Sequence, residues 1–455
     1  MPSNPIPVPG PGTVPLQPRH RADIGPRGRP GGTVQAAVAQ PQLTYLAITI
    51  AVSLLPPQFA LNLGAVLPLY RFFLLAAIPW LAFDLVKGRA PVRNIDLLIL
   101  ALCGWIFVSV AVVQGLDHAV NSGGSMAVDI GVAYCLAAWN IRSFRDVRRL
   151  LVMIAIPYFL ATVFMPLESV TRHYIVQPLA VKVAGNAQMN IDTYDSPDRL
   201  MRFGLLRAMG PWAHPILAGL ILSSLLPFAW RGSVRGWPRT MLMVSGLFSL
   251  FSISSSAFFA LFVQTVLLIY DRLVRKVPQL SWSKFFWAAI IFAIAAEVGT
   301  KRGLWGMLQM AALNGGSAYY RTLIWRYGSA SVVDHPWFGV AWGPWQHESW
   351  MTDSIDNYWL NVAVQFGFPA VVFALAVPVV TIVSLIRSAR SERGQDRDLV
   401  VAAAISLAVL VFGLVSVSVW LNAQVWLSVL MGVCAAIARI AKGRRPVRRP
   451  VLGNR

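Results

Sequence analysis

Between Arg321 and Leu360 the chain reads RTLIWRYGSASVVDHPWFGVAWGPWQHESWMTDSIDNYWL, with two arginines, two histidines, four acids and a run of tryptophans. An arginine fork binds phosphate through two parallel hydrogen bonds, and two arginines can hold a pyrophosphate. A carboxylate or an imidazole can act as general base toward a sugar hydroxyl. Tryptophans stack on pyranose faces or anchor at a membrane interface. Arg321 and Trp325 are four apart and share a helix face, while Arg326 lies on another side. His335-Pro336 ends that helix, because the residue before a proline leaves the α region. WFGVAWG (337–343) then turns at Gly339 and Gly343. Asp353, Asp356 and Asn357 come just before the next apolar run, where the positive end of a helix dipole favours an anion or a carboxylate. His347 and His335 stand in reserve as bases, and His335 also reads as a turn residue.

What positions these groups is a membrane scaffold. The chain has 455 residues, 56% hydrophobic and 13% charged, with 17 Trp and a mean hydropathy of +0.59. Soluble domains carry about 25% charged residues. Apolar runs of roughly 17–25 residues, each long enough to cross a bilayer core, recur along the chain and predict an all-α polytopic membrane protein. About twelve spans are expected: 43–61, 65–86, 95–114, 124–141 and 150–167, then 212–230, 240–254, 256–271 and 285–299, then 358–386, 398–419 and 423–440. In domain terms, spans 1–5 fill 41–167, spans 6–9 fill 212–299 and spans 10–12 fill 358–440. Two long loops, 168–211 and 300–357, separate them. A proline-rich basic segment, 1–40, reads as a disordered tail, and 441–455 as a second basic tail.

The net charge of +20 follows from topology. With a cytoplasmic N-terminus, 29 of the 39 Lys and Arg fall on the inside segments, against eight acids. The two long loops then face outward, and their arginines are not explained by orientation. Nucleic-acid binding is not needed to account for the excess, although the basic ends can touch anionic lipid. Long ordered loops are usually functional. In the first loop, Asp192, Asp195 and Asp198 lack the glycine and terminal glutamate of an EF-hand, so no metal is expected. RLMRFGLLRAMG (199–210) alternates arginines with apolar residues, as in a helix lying on the membrane surface. Arg207 there adjoins GPWAHP (210–215). In the second loop, 301–314 suggests an amphipathic helix carrying Arg302. The serines at 252–256 turn between two spans and read as structural. Cys103, Cys135 and Cys434 all lie in apolar runs and read as buried hydrophobes.

The set R-x-x-x-W (Arg321, Trp325), D-H-P-W-F-G-V-A-W-G (334–343), D-N-Y-W-L (356–360) and F-G (366–367) resembles the O-antigen ligase and polysaccharide polymerase family. In that family an arginine and tryptophan, a proline–glycine turn, and "H-N-x-x-L" opening a span follow one another. GPWAHP and Ser252-Ile253-Ser254 extend a weaker likeness over most of the chain. The resemblance implies a C-type membrane glycosyltransferase with a large periplasmic loop, acting on glycans carried by undecaprenyl pyrophosphate without metal, nucleotide sugar or other cofactor. Arg321 matches the arginine expected to hold the pyrophosphate, Asp356 stands in the place of the base histidine, and Asn357 is the asparagine beside it. Aspartate at this place is frequent in the polymer-forming branch. The family's S-x-S-R turn lacks its arginine here, so Arg207 or Arg302 must replace it. The expected catalytic set is thus Asp356, Arg321 and His347, with Arg207, Arg302, Arg326, Trp325, Asn357 and His335 binding substrate.

On this reading the protein polymerises lipid-linked repeat units into an exopolysaccharide or O-antigen at the periplasmic face of the bacterial inner membrane, with both termini cytoplasmic. Its partners are the lipid-linked glycan, membrane lipids, a chain-length regulator and export machinery. One alternative is a ligase handing the glycan to lipid A core or protein. Another is a transporter or flippase, against which stand the few charges inside spans (Asp129, Arg71) and the lack of an internal repeat.

Overall fold

The computed structural model describes residues 41–62, 66–184, 200–300 and 315–443. The tails 1–40 and 444–455, the acids at 192–198, Arg199, and the expected helix 301–314 with Arg302 lie outside the described residues.

The described chain is almost wholly helical. In order, α1 is Pro41–Ser53, a short hairpin pairs β1 (Ala60–Asn62) with β2 (Val66–Pro68), α2 is Leu69–Val86 and α3 Asn94–Gln114. Then α4 covers 116–140, α5 is Phe144–Thr162, α6 Met165–Thr171 and α7 Val176–Ala184. A second hairpin pairs β3 (Met201–Arg202) with β4 (Leu205–Leu206). Next come α8 (Pro215–Ser223), α9 (Leu226–Arg231), α10 (Trp237–Leu247), α11 (Ser255–Lys276) and α12 (Trp282–Gly299). The described chain ends with α13 (Gly315–Asp334), α14 (Tyr358–Ala389), α15 (Gly394–Gly413) and α16 (Asn422–Gly443).

Eight helices are long and apolar enough to cross a bilayer among the described residues. They cover eight of the twelve expected runs. The other four are shorter or irregular: α1, the segmented α4, α8 with α9, and α10 with its 3-10 extension Phe248–Ser252. In α4 two π-helical turns, Ala119–Gly123 and Val128–Val132, interrupt the α-helix. A lipid-facing backbone leaves no polar group unpaired, so helices are the default and their breaks are confined to protein-lined places.

The bundle is centred on α16, nearly every residue of which is buried against α4, α14 and α15. At the other extreme, α12 buries only Ala296 and is tied on through an aromatic cluster of Tyr270, Trp282, Phe285 and Phe286 at the α11–α12 turn. The large exposed hydrophobic surface of the outer helices is what a bilayer would cover.

Most of the basic connections meet at one end of the bundle. Asp271 on α11 receives Arg231 at 2.9 Å, Arg275 at 2.8 Å and Arg397 at 2.8 Å, and Asp398 pairs with Arg231 and Arg275. Arg148 bonds Asp396 there, and Arg439 donates to Ala138 O in the last turn of α4 and to Ile141 O just past its end. The described parts of the two long connections meet at the opposite end of α11, where Arg202 and Arg207 bond the turn before it and Arg321 lies close by.

One device shapes that opposite end. Helix α14 is broken at Gly367 (φ 80°, ψ 176°), which frees the carbonyls of Val364 and Gln365. The turn after His335-Pro336 fills the gap: Val340 N–H donates to Val364 at 2.9 Å, Ala341 N–H to Gln365 at 2.7 Å, and Phe368 N–H donates to Pro336 at 2.7 Å. A Cβ on Gly367 would lie 1.9 Å from the Trp337 carbonyl, so only glycine fits this clasp. From α3, Trp105 stacks on Phe338 and donates to Phe366 O at 3.0 Å, while Ser109 donates to Phe338 O.

The expected surface helix at 199–210 is corrected. Its described part forms the β3–β4 hairpin, because Phe203-Gly204 adopts positive φ at both positions (52° and 75°) and closes a two-residue turn.

Candidate functional site

Three arginines converge where the β3–β4 hairpin, the α10–α11 turn, α13 and the start of α14 come together. Two of them hold the turn. Ile253 sits in the left-handed region (φ 42°, ψ 45°) between the 3-10 helix and α11, and this presents successive carbonyls to the arginines. Arg207 Nε donates to Ser252 O at 3.3 Å, and Arg202 Nη1 donates to Ile253 O at 3.2 Å. Arg321, from the face of α13, donates to Ser416 O at 3.4 Å.

The surrounding elements fix these positions. The buried Glu168 accepts from Ile175 N and Val176 N at 3.0 Å, and from Gly210 N at 3.4 Å. Gln177 donates to the carbonyls of Gly210 and Trp212, so GPWAHP is anchored from two sides. His214 caps α8: its Nδ1 accepts from Ile216 N at 3.2 Å, with Pro215 at the first helical position. On the far wall, Asn357 caps α14, its Oδ1 accepting from Trp359 N and Leu360 N. Tyr358 N–H donates to Val417 O at 3.1 Å, which sets Asp356 beside the 414–418 turn.

The electrostatics are lopsided. Among the described residues no acid pairs with Arg202, Arg207 or Arg321 within 4.0 Å. Arg207 is buried and its Nη2 has no hydrogen-bond partner among the described residues. Burial, with Arg202 next, pushes the Arg207 guanidinium down to about 10. Burial also lowers Arg202 and Arg321, with Arg321 adding to the effect on Arg202 and Asp356 opposing it on Arg321. Burial pushes His214 down to about 3, and the same three arginines reinforce it, so its ring is neutral near pH 7. Among the described residues, Asp356 is the carboxylate that faces this charge. Burial raises it, against the pull of Arg321, a 3.4 Å hydrogen bond from Ser354 and the pull of Arg207.

Of the expected site residues, the fold brings together Arg321, Arg207 and Asp356. Asn357 lies alongside with its oxygen committed to the cap. His347 is placed elsewhere. It sits in a small cap formed by 335–357 and α13, whose own core includes Leu323, Ile324, Trp345 and Met351. There its ring bonds Glu348 O at 2.9 Å and Asp353 Oδ1 at 3.0 Å. Trp325, Arg326 and His335 are exposed, and Arg326 lies over the Tyr327 ring at 5.8 Å. Arg302 is outside the described residues. Sequence reasoning did not single out His214, and it gave Arg202 to the membrane interface. The available signals were His-Pro before an apolar run and Phe-Gly between two short apolar pairs.

No three His, Cys, Asp or Glu side chains assemble a metal-ligand set among the described residues. What the arrangement can do is hold a polyanion on three guanidinium groups and offer it one basic carboxylate. Set beside known proteins, the chain matches no family model and no curated sequence.

Proposed function

We propose that the protein is a membrane glycosyltransferase that polymerises undecaprenyl-pyrophosphate-linked oligosaccharide repeats at the outer face of a bacterial inner membrane. The observation that carries this reading is the cluster of Arg202, Arg207 and Arg321, facing Asp356 and with no acid paired to it among the described residues. Elsewhere in the interior Arg71 and Arg231 are paired with acids, and this contrast supports reading the cluster as a site for an external anion. Arg207 supports the resemblance in a second way. It reaches the Ser252-Ile253-Ser254 turn from outside, where the family's turn would carry its own arginine.

In the proposed reaction the acceptor sugar hydroxyl attacks the anomeric carbon of the lipid-linked donor glycan. The new glycosidic C–O bond forms as the bond to the pyrophosphate oxygen breaks. Undecaprenyl pyrophosphate leaves with that electron pair, and its growing negative charge is met by Arg321 and Arg207. The hydroxyl proton passes to Asp356, whose raised pKa makes it a better base than an exposed carboxylate. The twelve-span layout belongs to the same proposal, with the basic end of the bundle in the cytoplasm.

The test is genetic and chemical. Arg321→Ala or Asp356→Ala should abolish polymer while single lipid-linked repeats accumulate on the outer face. Accumulation on the cytoplasmic side would replace this reading with a flippase. Normal polymer that fails to reach lipid A core or protein would replace it with a ligase.

A further inference from the structure

On the other side of the 353–358 segment lies a cavity of about 550 Å³ that the arginine cluster does not enter. Its volume is within the roughly 300–1,000 Å³ that accommodates small organic ligands. Among the described residues, the charges on its wall are the half-buried Arg71, the buried Asp129 and the exposed Asp353; Arg71 grips Asp129 through Nη2 and Nε, at 2.7 Å and 3.0 Å, and Tyr70 adds its hydroxyl at 3.4 Å. Much of the remaining polar lining is neutral, with the amides of Asn361 and Gln424 among it, and Trp342 and Trp420 provide aromatic walls. Gln424 is buried, and its carboxamide oxygen has no hydrogen-bond partner.

Two further observations point to a ligand. Both π-helical turns of α4 contribute to this cavity, the first through Asn121 and Ser122 and the second through Asp129. Such turns cost regular hydrogen bonding and occur mostly where a helix must re-aim side chains at a site. The cavity also shares a wall with the candidate site, because Asp353, Ser354 and Ile355 line it while Asp356 faces the arginines.

We infer that this cavity is a carbohydrate site for neutral sugars, holding the acceptor glycan beside Asp356. A hydroxyl-rich ring matches neutral amides and aromatic faces, whereas a polyanion would find a cancelled charge pair and the carboxylate of Asp353. Its assignment to the acceptor rests on the glycosyltransferase reading; the sugar-binding claim does not.

The experiment uses the full chain in lipid nanodiscs, free of glycosidic detergent. Methyl glycosides of glucose, galactose, mannose, rhamnose and N-acetylglucosamine are titrated by saturation-transfer NMR, and inorganic pyrophosphate by calorimetry. Gln424→Leu, Asn361→Leu and Arg321→Ala are compared with the parent, with melting curves to confirm folding. At least one glycoside should bind, weaken at least tenfold in Gln424→Leu and in Asn361→Leu, and bind unchanged in Arg321→Ala. Pyrophosphate should show the reverse pattern. If pyrophosphate binds at Arg321 but no glycoside binds, or the glycoside responds to Arg321 instead of Gln424, the sugar site is overturned and the catalytic reading stands. If a glycoside binds at Gln424 and pyrophosphate binds nowhere, the sugar site stands and the catalytic reading falls.

Discussion

Asp356 and the arginines around it make opposite demands on one another, and this gives the site a readable pH dependence. Burial holds the carboxyl above the usual carboxylate range, while Arg321 and Arg207 pull it back. In the proposed reaction Asp356 is the base and must be ionised, so transfer should fall as the pH drops through its raised pKa. A bound pyrophosphate brings negative charge that offsets the arginines and favours the protonated acid. The acid limb of kcat, which reports the substrate complex, should therefore lie at higher pH than that of kcat/KM, which reports the free enzyme. Equal or inverted limbs in a reconstituted assay would remove Asp356 from the base role. Loss of Arg321 to alanine should lower kcat/KM by about 10²–10³-fold, the usual effect of deleting one charge-stabilising donor. Arg326→Ala, an exposed change outside the cluster, should leave it within about twofold, as surface substitutions usually do.

At the level of elements, the clasp between α14 and the 336–341 turn turns a glycine pattern into a shape. Gly339 reads in sequence as a turn residue and Gly367 only as part of the F-G motif, yet their task is to let two backbones touch within a bilayer-sized helix. A Cβ at Gly339 would meet Val364 O at 2.4 Å, and one at Gly367 would meet Trp337 O at 1.9 Å. Gly367→Ala should cost about 3 kcal/mol or more through clash and strain, lowering the melting temperature of the purified protein. Gly104, with open space around its would-be Cβ on α3, should accept alanine with a gain of up to about 1 kcal/mol. A similar melting temperature for the two variants would discard the clasp.

The helices of this scaffold were legible because hydrophobic length is a strong signal, and the His335-Pro336 stop could be read from residue type, whereas Arg321 and Asp356 were singled out by the family resemblance. The β3–β4 hairpin was not, since four paired residues carry too little periodicity to outweigh a surface-helix pattern. The π turns of α4 were hidden as well, because one extra residue per turn leaves no mark in an apolar run. Pairing of Arg71 with Asp129, across 58 positions, was equally out of reach.

At the scale of the whole molecule, charge separates the two ends. The network on Asp271 ties α9, α11 and the start of α15 together. Asp271→Ala would leave the buried Arg231 with Asp398 as its remaining ion-pair partner, and should cost about 3–5 kcal/mol of stability. A melting temperature within a degree of the parent would show that the network is dispensable. Orientation is tested with cysteines introduced at the exposed positions Ser391 and Ser349 in a Cys103→Ser background, Cys103 being half-buried and the native Cys135 and Cys434 buried. A membrane-impermeant maleimide added to cells with a permeabilised outer membrane should label Ser349→Cys and spare Ser391→Cys. The reverse pattern would invert the topology.

Helix α12 brings a different consequence. With Ala296 its only buried residue, it has the bilayer, not the protein, as its main solvent. Its 18 residues span about 27 Å at 1.5 Å per residue, slightly less than a typical hydrocarbon core. Membrane thickness should therefore act on this element before any other. In amide hydrogen exchange α12 should lose protection first as acyl chains lengthen, while α16 at the centre of the bundle stays unchanged.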